Sequence, residues 1–250
     1  MWVGDVNARG ELLGRPVELV HYDDGSDPAR SAQLYKKLIQ EDKVDLLVGP
    51  YSSKITLAAS QVAEQFDMPM LTLGASAQSR LYMTEFDDYA GLFAEQGDFD
   101  VPPTVTAGVS LKVTPEVTLV ADWQRIFYSD VDALGNSNSS LGPNNLLGSD
   151  GGLGFGWDDI DIFKVGVQWA YSPKLTLRAG VSHADQLFDD AEALFNILAP
   201  ATVRTHASLG MTYRLDKSSN ISVAYTRAFN EEIDGKNPTF TGSQTGSVEM

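Results

Sequence analysis

The chain has no cysteine. Disulfides, cysteine-ligated zinc and thiol nucleophiles are therefore excluded. It has no run of 18 apolar residues, so no transmembrane helix is expected. Basic residues are scarce, 18 against 34 acidic, for a net charge of −16. Residues 1–78 carry 7 basic and 11 acidic residues, and residues 79–250 carry 11 and 23. That balance argues against nucleic acid as a partner, because phosphate binding needs clustered Lys and Arg. Histidine is rare too: His21, His183 and His206 show no metal-ligand spacing. The start Met1-Trp2-Val3-Gly4-Asp5 has neither the basic opening nor the apolar core of a signal peptide, so none is expected in this chain.

What is present falls into two patterns. Residues 1–78 alternate short apolar runs with helical periodicity. Arg15 to Tyr22 reads as a strand, and Asp23-Asp24-Gly25-Ser26 as a turn. Asp27 then caps a helix that has Pro28 at its first position and runs to about Gln40. Val44 to Val48 reads as a buried strand. Ser52 or Ser53 caps a second helix, whose Ile55, Ala58, Ala59, Val62, Ala63 and Phe66 keep i, i+3, i+4 spacing. Met68 to Leu73 is another strand, closing into Gly74-Ala75-Ser76. Alternating strands and helices predict a parallel α/β sheet, whose ligands sit at strand carboxyl ends. Ser52, Ser53, Gly74, Ala75 and Ser76 occupy such ends. They are read either as a carboxylate site or as plain caps and turns.

After residue 82 the period becomes two. Thr104 to Val113 puts Val105, Ala107, Val109, Leu111 and Val113 on one face. Five more alternating segments follow, at 116–127, 162–171, 175–183, 203–215 and 220–229. Each is about ten residues long, enough to cross a bilayer when tilted. Turns within pairs are short. The connections Ser129 to Asp161 and Ala184 to Thr202 are long. This asymmetry predicts an outer-membrane barrel, with Phe127, Tyr128, Phe163, Tyr171 and Phe229 in its interfacial girdles. A soluble antiparallel sandwich is the competing architecture. In Leu187 to Leu198, residues Leu187, Phe188, Leu194, Phe195 and Leu198 have helical spacing. They are read as a lid for an apolar ligand, or as a loop helix packing on its own barrel.

Two families are recognisable in these residues. Asn7 to Arg15, Tyr22-Asp23-Asp24, Val48 to Ser53 and Pro69 to Ser76 resemble the branched-chain amino-acid type of periplasmic substrate-binding protein, over residues 4–78. The resemblance implies that Ser53, Gly74, Ala75 and Ser76 hold the α-carboxylate of an amino acid. The segment Phe86 to Asp100, Gly154-Phe155-Gly156-Trp157 and Phe195 to Pro200 resemble the FadL/TodX family of outer-membrane transporters, from about residue 82 onward. That resemblance implies a monomeric fourteen-stranded barrel carrying long-chain fatty acids or aromatic hydrocarbons. Six or seven strands are too few for a known single-chain barrel, whose range starts near eight.

The expected fold class is therefore mixed: an N-terminal α/β parallel-sheet half-lobe over 1–78, a junction at 79–82, and antiparallel strands of an incomplete outer-membrane β-barrel over 83–250. The expected partners are a hydrophobic small molecule (fatty acid or aromatic hydrocarbon) or an amino acid, and outer-membrane lipid. The barrel part is expected in the outer membrane and the N-terminal part in the periplasm. Asp130 and Asp132, or Asp158, Asp159 and Asp161, do not match an EF-hand loop, so no metal is expected. No Ser/His/Asp set or carboxylate pair can be assembled, and neither enzymatic activity nor a cofactor is expected. The leading function is transport of hydrophobic compounds by a barrel fragment fused to a solute-binding fragment. The alternatives are an amino-acid-binding component of an ABC transport system, and a chimeric gene product without function.

Overall fold

The computed structural model describes residues 2–10, 14–50, 52–84, 91–139, 145–216, 219–236 and 245–249. The chain forms two compact units. One holds residues 1–73 with 111–115, and the other holds 74–110 with 116–250.

In the first unit, α1 spans Trp2–Ala8, α2 Pro28–Gln40 and α3 Ser53–Gln65. The α2 boundary follows its caps: the Arg30 N–H donates to Asp27 Oδ1 at 2.8 Å, with Pro28 in the first turn. Strand β1, Leu47–Val48, pairs in parallel with the start of β2, Met70–Gln78, through Leu47↔Met70 and Val48↔Leu71. Tyr35, Leu47, Ala59, Val62, Ala63 and Met70 form the core beneath α2 and α3. Tyr35 donates its hydroxyl to the Val48 carbonyl. Burial, helped by the nearby Asp24 carboxylate, pushes its pKa up to about 12.

Three expectations for residues 1–78 change. Residues 16–24 form no strand, and Leu19 is 62% exposed. The Asn7 side chain takes the place of a ladder neighbour, accepting from Val17 N–H at 2.7 Å and donating to Val17 O at 2.9 Å. The strand read at 44–48 shrinks to Leu47–Val48, because only these residues find a partner. Gly74, Ala75 and Ser76 do not open a loop; they continue β2.

In the second unit the alternating segments become β3 Thr104–Lys112, β4 Val117–Ile126, β5 Ile160–Ala170, β6 Leu175–Ala184, β7 Thr205–Arg214 and β8 Asn220–Ala228. They lie side by side in chain order. The pairs β4–β5, β5–β6, β6–β7 and β7–β8 are antiparallel in unbroken register, with Leu119↔Val167, Val167↔Ala179, Ala179↔Leu209 and Leu209↔Tyr225 on one line. The fold of this unit is mostly sheet, and the sheet is open. Among the described strands β8 pairs with β7 alone. β9 Glu232–Lys236 and β10 Thr245–Glu249 make a separate hairpin instead of a seventh wall strand.

Period two dictates the faces. Residues of odd number in β4 to β8 make one apolar face, including Leu119, Val165, Val167, Val181, Leu209, Met211 and Val223. Even-numbered residues make a polar face, on which Arg178 donates to Gln168 Oε1 and Thr212 Oγ1, both at 2.8 Å, and Lys164 to Gln124 Oε1 at 2.9 Å. The apolar face is uncovered: Leu209 is 64% exposed and Val165 58%.

Candidate functional site

The loops at one rim of the sheet condense into a core of their own. Phe93, Val131, Ala133, Leu134 and Phe155 are buried together, with Phe99, Tyr128 and Trp157 packed against them. A second cluster joins Ile160, Leu187, Phe188 and Ile233 to Ile126, Ile162 and Ala184. These last three share their parity with Gln124, Lys164 and Ser182. The loops therefore fold over the rim on the polar side of the wall.

The three segments that carry the FadL/TodX resemblance meet in this cluster. Phe93 stacks on Phe155 with centroids 5.1 Å apart, and Phe99 meets Phe93 edge-on at 5.2 Å. Asn196 links the other two segments. It is fully buried, accepts from Trp157 Nε1–H at 2.6 Å, and donates to Phe155 O at 2.8 Å and Glu192 O at 3.0 Å. The buried Glu192 carboxylate accepts from Ser137 Oγ–H and from Asn138 N–H at 2.7 Å. The motif glycines are steric requirements. A Cβ on Gly154 would lie 2.6 Å from the Asp132 and Asn136 carbonyl oxygens. One on Gly156, which has φ +68°, would lie 2.4 Å from Glu192. Residues 86–90 of the first segment lie outside the described residues.

Arg80 ties the chain entering this unit to the rim. Its Nε donates to Asp100 Oδ2 and its Nη2 to Glu95 Oε2, both at 2.6 Å, and Nη1 donates to Asp130 O at 2.8 Å. Asp100 is 2% exposed. Burial works against its anion, but the Met83 N–H, Arg80 and Asp98 outweigh that and hold its carboxyl below the usual range. Asp98 moves the other way, raised by burial and by sharing a hydrogen bond with the Asp100 carboxylate. Glu95 and Gln96 both adopt left-handed backbone, φ 48° and 58°. The Arg80–Glu95 pair and the Gln96 N–H to Gly148 O bond hold that strained turn. Sequence reading missed Arg80, although it is the single Lys or Arg between Lys54 and Lys112, set among acidic residues.

Polar and aromatic groups bound the apolar face at both ends. Toward the loops, Trp123 Nε1–H and Arg125 Nη1–H both donate to Asp161, at 2.9 and 3.0 Å, and the Arg125 guanidinium lies over the Phe127 ring. Toward the short turns, Trp169 meets Tyr171 edge-on at 5.0 Å, and Tyr213 is exposed. Asp161 and Tyr171 are ten residues apart. At ~3.3 Å per residue, that is a band of about 33 Å measured along the strand. Between these limits lies an open apolar trough of 640 Å³, lined by residues such as Val117, Trp169, Leu177, Met211, Val223 and Tyr225. Tyr128 does not join a girdle. It turns inward and meets Trp157 edge-on at 5.2 Å.

The sequence-predicted ligand residues belong to different elements and differ in exposure. Leu187 and Phe188 are buried, while Leu198 is 73% exposed. Leu194 and Phe195 fall in α5, Ala193–Asn196, and their side chains are outside the described residues. A 3₁₀ turn at Asp190–Glu192 followed by this short helix replaces the single amphipathic helix. Buried Phe188 fixes one end of the segment, and Asn196 the other. Ser53 is the first residue of α3, and Ser52 at its N-cap makes no side-chain capping bond. Gly74, Ala75 and Ser76 are exposed within β2, and an extended strand sends successive N–H groups to opposite edges.

Residues 1–114 match the family model for periplasmic binding proteins. The N-terminal segment is similar to the Leu/Ile/Val-binding proteins. That of Escherichia coli (strain K12) is 30% identical over 127 residues, which is 49% of this chain and 33% of that protein. The chain thus spans a third of the relative it matches. Among solved structures, the Pseudomonas putida toluene transporter TodX is similar with a TM-score of 0.41 and 24% identity, over 55% of this chain and 30% of that one. A Pseudomonas aeruginosa FadL homologue has a TM-score of 0.47 and 18% identity, over 67% and 42%. By name these proteins are binding proteins and transporters.

Proposed function

We propose that the second unit is part of an outer-membrane channel wall for hydrophobic compounds, long-chain fatty acids or aromatic hydrocarbons, of the FadL/TodX type. One observation carries this: an uncovered apolar face, about ten residues tall along its strands and edged by Trp, Tyr and Arg, whose opposite polar face holds the loop cluster at its rim. Lipid contacts the apolar face and fills its trough. The polar face lines a wet interior, which suits Arg178, Lys164 and the hydroxyls around them. The chain joins this wall to a solute-binding half-lobe, and the join is put at Ser79 to Tyr82, where helical spacing gives way to alternation. In this reading Leu187, Phe188, Leu194, Phe195 and Leu198 belong to the rim that receives the apolar compound.

The two faces make opposite forecasts for one substitution. Leu209→Arg puts a cation in mid-band and is expected to cost about 2–4 kcal/mol of stability in bilayers, whereas Ser208→Arg on the polar face costs little. Urea titration of the chain refolded in phospholipid vesicles reads both. Equal effects would sink the assignment of faces. So would a chain that stays folded in water and ignores vesicles.

The family match over residues 1–114 favours a second reading for the N-terminal part, an amino-acid-binding component of an ABC transport system. There Ser53 and the Gly74–Ser76 segment take the α-carboxylate. Titrating the full chain with leucine in a calorimeter is expected to give saturable heat that Ser53→Ala removes. Absence of heat at millimolar leucine would rule this reading out.

A further inference from the structure

We propose that Arg204, with His183 and Thr205, holds the phosphate of a surrounding lipid at the loop-side limit of the apolar face. The proposal rests on the wall reading above. These residues lie on β6, at the entry to β7 and at its first position, and both strands are paired on their two sides.

Arg204 is a cation without an anion. It is half-buried, and its Nε is a buried atom with no hydrogen-bond partner. Among the described residues its side chain meets only His183, Nη2 to Nε2 at a long 3.4 Å, and it makes no ion pair. Yet acidic residues outnumber basic ones 34 to 18 in this chain. Arg125, at the same rim, shows the usual outcome: its guanidinium pairs with both Asp159 and Asp161. Withdrawing a charge from water without an opposite partner is costly. The arrangement around Arg204 therefore suits an anion from outside the chain.

The position selects the kind of anion. Trp123 pairs with Phe163, Phe163 with His183, and His183 with Thr205, one line across four strands with the parity of the apolar face. Aromatic rings at such a border sit at the level of lipid headgroups. His183 Nδ1 lies 2.8 Å from Thr205 Oγ1, which fixes the ring with Nε2 beside the guanidinium. Toward mid-band on the same two strands come Val181 and Leu209, both exposed. A lipid whose tail follows these residues brings its phosphate to Arg204, and a guanidinium offers phosphate oxygens two parallel N–H groups. The carried compound belongs on the polar side of the wall, so a lipid head is the occupant that this side favours.

The full chain, refolded into phosphatidylcholine vesicles doped with phosphatidylglycerol and extracted in neutral detergent, can be weighed with its bound lipid by native mass spectrometry. It is expected to retain phosphatidylglycerol over phosphatidylcholine by roughly fivefold relative to their shares. Arg204→Gln should lose that preference. Arg204→Lys should keep part of it, since the charge remains without the fork. Arg214→Gln removes the same charge at the far end of β7 and should leave the preference intact. Retention unchanged in Arg204→Gln, or lost equally in Arg214→Gln, would overturn the site. So would displacement of the lipid by equimolar laurate, which would make the occupant a carboxylate. Vesicle flotation separates this proposal from the wall reading. A chain that floats without preferring phosphatidylglycerol keeps the wall and loses the lipid site, and a chain that never floats removes both.

Discussion

Replacing Arg80 by alanine is expected to destabilise the second unit by about 3–5 kcal/mol, the cost of leaving a buried charge without its partner. The Asp100 side chain has no solvent exposure in the pair, and the Arg80 side chain has little. Its guanidinium serves three acceptors at once: Asp100, Glu95 and the Asp130 carbonyl. Arg80→Lys should recover only part of the loss, because an ammonium is a point charge and cannot match that fork. Arg80→Ala with Asp100→Asn should recover most of it, since the stranded charge is then gone. The measurement is the urea midpoint of tryptophan fluorescence in micelles. A double variant no better than Arg80→Ala would show that the ion pair is not the cause.

The same site gives a pH dependence with a definite sign. The folded-state carboxyl of Asp100 is depressed. Its contribution is therefore present above the unfolded carboxylate pKa, ~3.9, and is lost as pH falls through the lower folded value. Asp98 is raised, so its contribution is present at low pH and lost as pH rises through its folded value. Removing Arg80 takes away one of the interactions that hold Asp100 ionised. The acid-dependent loss of stability should then be smaller than in the parent chain, because the folded Asp100 carboxyl moves up toward its unfolded value; urea midpoints followed against pH read this.

Asn196→Ala is the second large effect, at about 3–5 kcal/mol. It leaves the Trp157 Nε1–H and the Phe155 carbonyl without their partner, at roughly 1–3 kcal/mol each, and opens a small void. Because Asn196 joins two motif segments, the loss should appear as loosening of the whole rim. Limited proteolysis is expected to cut within 185–204 many times faster, while the β-sheet circular dichroism of the wall persists. Asn138→Ala removes a side chain whose bond to Ala191 O is long and exposed, and should change little. Proteolysis equal in the two variants would mean that Asn196 does not hold the rim together.

Local chemistry determined much of this molecule. Period-two alternation set the strands between Thr104 and Ala228 to within one or two residues, and with them which residues share a face. Asp27 and Pro28 set the start of α2, because capping acts within one turn. Other features depend on contacts distant in sequence, and there local pattern fails. Leu19 alternates like a strand residue but finds no neighbour, since a strand exists only where a partner accepts its hydrogen bonds. Leu187 to Leu198 has helical spacing, yet the burial of Phe188 and Asn196 in a shared core overrides it. Arg80 was legible only as an isolated cation; its partners lie 15 to 50 residues away. The sequence by itself thus determined that the wall has an apolar and a polar face. Only the tertiary structure decided which face the loops cover. Ile126, Ile160 and Ile162 meet Leu187 and Phe188 on the polar side, which leaves the apolar side bare.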